Sequence, residues 1–134
     1  MDCAITEYKG VKLVHLPAVK NKYLEAFCHT LYGVVVARNL NPAILHIQAI
    51  GPGFFSLFAR LLGLNVVLTS HGSNYEHKKW GRFSRACLRF FEYVGMKSAE
   101  QVIAISPTIA DEIKIKYHRE VKVIPNGVIL YNCS

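Results

Sequence analysis

The stretch "LHIQAIGPGFFSLFARLLGLNVVLTSHG", residues 45 to 72, decides the fold. It opens and closes on short runs rich in β-branched and apolar residues, "AILHIQ" (43 to 48) and "NVVLTS" (65 to 70). Between them apolar residues recur at spacings of three and four, the period of a helix at about 53 to 63. Strand, helix and strand in this order make a βαβ unit, which belongs to a parallel sheet. "GLN" at 63 to 65 stops the helix in the usual way of a terminal glycine.

The same alternation continues outward. Further strand candidates are "VKLVHL" (11 to 16), "QVIAIS" (101 to 106) and "VKVIP" (121 to 125), and further helices fall at about 21 to 39, 80 to 98 and 107 to 117. "NLNP" breaks the first helix, and "SPTIADEI" sets Ser106 at an N-cap with Pro107 at the first helical position. The expected fold is therefore α/β: a Rossmann-like parallel sheet of about five strands with helices on both faces, in a single domain over residues 1–134.

Composition agrees with a folded interior. Of 134 residues, 51% are hydrophobic and 19% charged, which excludes a disordered chain. Sixteen Lys and Arg against nine Asp and Glu give a formal charge of +7, a field that attracts phosphate-bearing partners such as nucleic acid, anionic lipid or a sugar nucleotide. Cys3, Cys28, Cys87 and Cys133 form no CxxC pair, so they read as reduced thiols of a cytoplasmic protein rather than as a zinc or redox site. The opening "MDCAITEYKG" lacks the apolar core of a secretory signal. Apolar runs such as "LYGVVVA" fall short of the roughly 20 residues that span a bilayer.

In an open parallel sheet, ligands bind beyond the carboxyl ends of the strands. Gly51, Pro52 and Gly53 leave the strand at 43 to 48 with their backbone exposed to an anion or hydroxyl; the plain alternative is a tight turn. His71 and Gly72 end the next strand. An imidazole there can bond a sugar hydroxyl or a phosphate, or can simply be satisfied by a neighbouring carbonyl. His71 and His77 are six residues apart, which fits neither a helical pair nor a zinc pattern. Ser106 caps a helix and also sits at a strand end, and Asn126 with Gly127 carries the signal of a tight turn. Lys78, Lys79, Arg82, Arg85, Arg89 and Lys97 alternate with Trp80, Phe83, Leu88, Phe91 and Val94. Such a helix either lies on anionic lipid or is an ordinary amphipathic helix with solvated charges.

Taken together, "LHIQAIGPGFFSLFARLLGLNVVLTSHG", "KKWGRFSRACLRFFEYVGMKSAEQVIAIS" and "VKVIPNGV" resemble, in that order, the amino-terminal domain of the family-4 glycosyltransferases of the two-domain GT-B fold. The similarity runs from about residue 10 to residue 128 and is nearest to the bacterial surface-polysaccharide, rhamnosyltransferase-like branch. It implies a transferase that uses a nucleotide-sugar donor, retains anomeric configuration and binds a saccharide or lipid-linked acceptor mainly in this domain. The donor is then held by a second Rossmann-like domain. His71 is the expected catalytic residue, in contact with the transferred sugar. The expected substrate-binding residues are Gly51, Gly53, Gly72, Asn74, His77, Lys79, Ser106 and Asn126. No cofactor, metal or nucleic-acid partner is expected, and peripheral contact with the inner face of the cell membrane would run through the basic helix.

The chain departs from the family pattern at Asn74 and His77, where the family carries an acid and an arginine. The family's opening strand and glycine-rich loop, and its donor-binding domain, have no counterpart in the sequence, so the chain reads as a domain truncated at both ends. Two glutamate pairs, Glu92 with Glu100 and Glu112 with Glu120, have the spacing of the family's donor signature but precede "NGV" and receive no role. The competing readings are an inactive remnant and a basic Rossmann-like binding module without catalysis.

Overall fold

The structure, a computed structural model, describes residues 5–16, 25–48, 53–72 and 81–127. The α/β class expected from the sequence is what is observed. Four parallel strands, β3 (Leu45–Gln48), β4 (Val66–Ser70), β5 (Gln101–Ala104) and β6 (Lys122–Val123), lie side by side in chain order. Helix α2 (Phe55–Leu61) connects β3 to β4, α3 (Arg82–Ser98) lies between β4 and β5, and α4 (Pro107–Tyr117) connects β5 to β6. Helix α1 (Glu25–Leu40) precedes β3.

Two details differ from the sequence expectation. The strand expected at 11 to 16 does not join the parallel sheet. It forms β2 (Val11–Val14), paired antiparallel with β1 (Ile5–Tyr8). Lys9 and Gly10 between them both take positive φ, 50° and 81°, the signature of the two-residue turn whose twist matches a hairpin. The parallel sheet therefore has four strands among the described residues. Three of the four described helices also share one side of it. Each crossover steps one strand in the same direction, and right-handed connections then place α2, α3 and α4 on the same face, while α1 packs against α2 through Phe27 and Phe55.

Local chemistry explains where the helices stop. Asn41 ends α1 in the left-handed conformation, φ 46°, with its N–H on the Ala37 carbonyl at 3.0 Å. Gly63 ends α2 at φ 82°; its N–H bonds the Arg60 carbonyl and that of Leu64 bonds the Ala59 carbonyl, the paired closure of a Schellman motif. Ser106 caps α4 as expected, its Oγ accepting from the Ile109 N–H at 3.3 Å.

The core is one cluster. Ile47, Val66, Leu68, Val102 and Ala104 supply the sheet's inner face, and Val34, Phe55, Ala59, Met96, Ala110, Ile113 and Tyr117 close it from the helices. Gly53 and Gly95 bring α2 and α3 together: a Cβ on Gly95 would lie 2.9 Å from the Gly53 carbonyl carbon and oxygen. Only glycine at 95 allows the backbones so close.

Candidate functional site

The carboxyl ends of the parallel strands are flush. Register places Gln48 beside Thr69, Thr69 beside Ile103, Ser70 beside Ala104 and Ala104 beside Val123. Side chains at this level share one rim, with about 4.8 Å between neighbouring strands.

On that rim four side chains form a hydrogen-bonded chain. Thr69, buried in β4, meets His46 Nε2 through its Oγ1 at 2.6 Å. The Gln48 amide nitrogen faces the two ring nitrogens of His46 at 3.3 and 3.5 Å. Gln48 Oε1 lies 3.1 Å from Nε2 of the exposed His71. Strand alternation puts these groups together: His46 and Gln48 project from one face of β3, and the buried Ile47 projects from the other. Sequence reasoning singled out His71 and missed His46, Gln48 and Thr69. The signal available was the polar-apolar alternation of "LHIQ" in a strand otherwise expected to be buried on both sides.

Gly72 gives the turn that leaves His71 at the rim. Its φ of 94° is strained for any other residue, and its N–H lies 3.4 Å from Ser70 Oγ. A Cβ at 72 would stand 3.5 Å from Ile109 Cδ1, so the turn abuts the first turn of α4. Ser106 lies there, one strand over from His71, with its hydroxyl oxygen engaged as the cap. Asn126 is exposed three residues beyond β6. Neither Asn126 nor Gly127 takes a positive φ, and the residues that follow lie outside the described ones. Gly53 is buried against Leu68 and the Gly95 backbone, a packing role that accounts for it without a ligand. Gly51, Asn74, His77 and Lys79 lie outside the described residues, as do Lys78 and Trp80.

Helix α3 rises past the rim. Gly95 packs beside Gly53, and the thirteen residues back to Arg82 span about 20 Å of helix, so its first turns stand on the carboxyl side of the sheet. There Arg82, Arg85, Ala86 and Arg89 line a hollow of about 430 Å³. Phe83, Phe90 and Tyr93 are exposed along the same helix, although Phe90 still meets the Phe54 ring and Tyr93 the Tyr117 ring. The inner side holds Glu92, Gly95, Met96 and Ser98.

Four other cations are structural. Arg60 donates to the Ser98 carbonyl at 2.9 Å, and Arg119 donates to the carbonyls of Met96, Ala99 and Glu100. These guanidinium groups close the carboxyl end of α3, where the helix dipole favours positive charge. Burial, with Arg60 nearby, lowers the pKa of Arg119 from its ordinary value. Lys97 donates to the Tyr117 carbonyl at 3.1 Å, and Lys116 pairs at 2.8 Å with the buried Glu92. That pair, together with the burial of Tyr117, gives Glu92 a place in the α3–α4 contact. Part of the basic charge thus serves the fold rather than a ligand. A second hollow, about 500 Å³ between Leu57, Leu61 and Tyr93, opens beside Lys97 and Ser98 at the amino end of β5, away from His71.

No curated protein matches the chain. Residues 7–130 match the family model of Glycosyltransferase Family 4. That span contains the whole parallel sheet, the four described helices and the rim that carries His71, and the chain belongs to Glycosyltransferase Family 4.

Proposed function

We propose that this domain, a member of a family of glycosyltransferase-type function with a sugar donor and an acceptor as substrates, is the acceptor side of a retaining enzyme. It transfers a sugar from a nucleotide-sugar donor to a saccharide or lipid-linked acceptor, in polysaccharide biosynthesis of the bacterial, rhamnosyltransferase-like kind. The donor is held mainly by a second Rossmann-like lobe facing the rim. His71 contacts the transferred sugar, Gly72 lets the backbone approach it, and Gly51, Asn74, His77, Lys79 and Asn126 are further substrate-binding residues. Gly53 and Ser106 support the site as packing and capping residues.

The observation that carries this reading is His71, exposed on the rim and held by Gln48. A hydrogen-bonding group fixed before the substrate arrives needs no reorganisation when it acts. The hollow lined by Arg82, Arg85 and Arg89 offers cationic surface on the carboxyl side of the sheet, suited to the phosphate of a lipid-linked acceptor. No described helix is long and apolar enough to cross a membrane. The exposed Phe83, Phe90 and Tyr93 beside Arg82 and Arg89 support α3 as the face for peripheral contact with an anionic membrane.

The test is His71→Ala in the enzyme carrying both lobes, assayed with a panel of nucleotide sugars and lipid-linked saccharides. The expected kcat is about a hundredfold lower, with thermal unfolding unchanged because His71 is exposed. Full turnover in His71→Ala removes the assigned role, and inversion of the anomeric centre in the product removes the retaining assignment.

A further inference from the structure

The hydrogen-bonded chain on the rim has a direction. A carboxamide has one oxygen that only accepts and one nitrogen that only donates. Gln48 turns its oxygen to His71 Nε2 at 3.1 Å and its nitrogen to His46, at 3.3 Å from Nε2 and 3.5 Å from Nδ1. A neutral His46 ring has one accepting nitrogen in either tautomer, and the Gln48 amide nitrogen lies within reach of both. Thr69, buried in β4, fixes His46 in turn at 2.6 Å. For His71 the consequence is specific. In the neutral ring a nitrogen bonded to a carbonyl oxygen carries the hydrogen, which leaves the lone pair on Nδ1. Nδ1 meets no group among the described residues.

We propose that Gln48 is a positioning residue, braced by His46 and Thr69, which holds His71 as the Nε2-protonated tautomer so that its Nδ1 accepts a hydrogen bond from a saccharide hydroxyl. The choice of ligand follows from the lone pair. A hydroxyl donates to it, whereas an ionised phosphate oxygen, itself an acceptor, does not. The inference deepens the transferase reading and rests on it for the identity of the hydroxyl, but the tautomer itself is a property of the folded chain.

Long-range proton–nitrogen NMR on the imidazole of His71 reads the tautomer directly. In the wild-type chain the hydrogen is expected on Nε2. Gln48→Leu, which removes the accepting oxygen from an exposed position, moves both nitrogens toward the average of the two tautomers; Gln48→Glu, which keeps an accepting oxygen, holds the hydrogen on Nε2. A purely structural role for Gln48 would leave the tautomer unmoved in all three. In the enzyme carrying both lobes, kcat of Gln48→Leu falls about tenfold to a hundredfold, the cost of a misplaced reacting group. A wild-type His71 protonated on Nδ1, a tautomer indifferent to Gln48→Leu, or full turnover in Gln48→Leu overturns the proposal. An active His71→Ala enzyme instead overturns the transferase role of His71 and leaves the tautomer result standing, so the two failures are distinct.

Discussion

The two faces of the parallel sheet are cut from the same strands and obey opposite rules. On one, Ile47, Val66, Leu68, Val102 and Ala104 are sealed beneath α2, α3 and α4. On the other, His46, Gln48 and Gln101 are exposed, and the buried Thr69 spends its hydroxyl on His46. Leu68 and Thr69 are neighbours in sequence, 1% and 5% exposed, yet one is held by dispersion and lost water contact and the other by a directed bond. The packed face fixes where the strand ends lie. The polar face uses that fixed register to bring groups from two strands within hydrogen-bond reach, which a mobile loop could not do as reproducibly.

The comparison can be broken first at Leu68. Leu68→Ala empties a fully buried site and should cost about 2–5 kcal/mol, a drop in melting temperature on the order of ten degrees. A loss no larger than that of a surface substitution would mean the packed face does not carry the fold. Gly95→Ala comes next. Its Cβ meets the Gly53 backbone, an overpacking cost of about 1–3 kcal/mol, set against the roughly 1 kcal/mol that alanine gains inside a helix. The net expectation is a lower denaturation midpoint. A stabilised variant would show that α2 slides away freely and that the Gly53–Gly95 contact sets nothing.

Thr69→Val has the smallest effect on stability and the most selective one on the rim. It keeps the shape and removes the bond to His46, at a cost of about 1 kcal/mol. Amide and imidazole shifts should change at His46, Gln48 and His71 while core probes such as Ile113 stay in place. Changes spread evenly over both faces would remove the distinction between them.

Much of the fold was legible because it is written locally. The helix stops at Asn41 and Gly63 and the cap at Ser106 depend on residues within one turn, and each is where the sequence puts it. The partner of a strand is not local information. "VKLVHL" has a good strand pattern, but whether it joins a parallel sheet or folds back on β1 is decided by the turn at Lys9 and Gly10 and by what else is available to pair. Glu92 shows the same limit: its spacing from Glu100 suggested a signature, and only the α3–α4 packing reveals its partner, Lys116. The basic composition was legible as a total, whereas the use of Arg60 and Arg119 to close the carboxyl end of α3 was not.

By itself the sequence determined the order of strands and helices from α1 onward, the points where helices end and the presence of a histidine at the close of β4, since each follows from side-chain period and backbone preference over a few residues. Only the tertiary structure decided that Thr69 meets His46 and that Gln48 meets His71, contacts that each bridge 23 positions of chain. The reason is register: two parallel strands become neighbours at a given level only when the helix between them is packed, here with Gly53 buried against Gly95 and Leu68, and no residue on either strand specifies that alone.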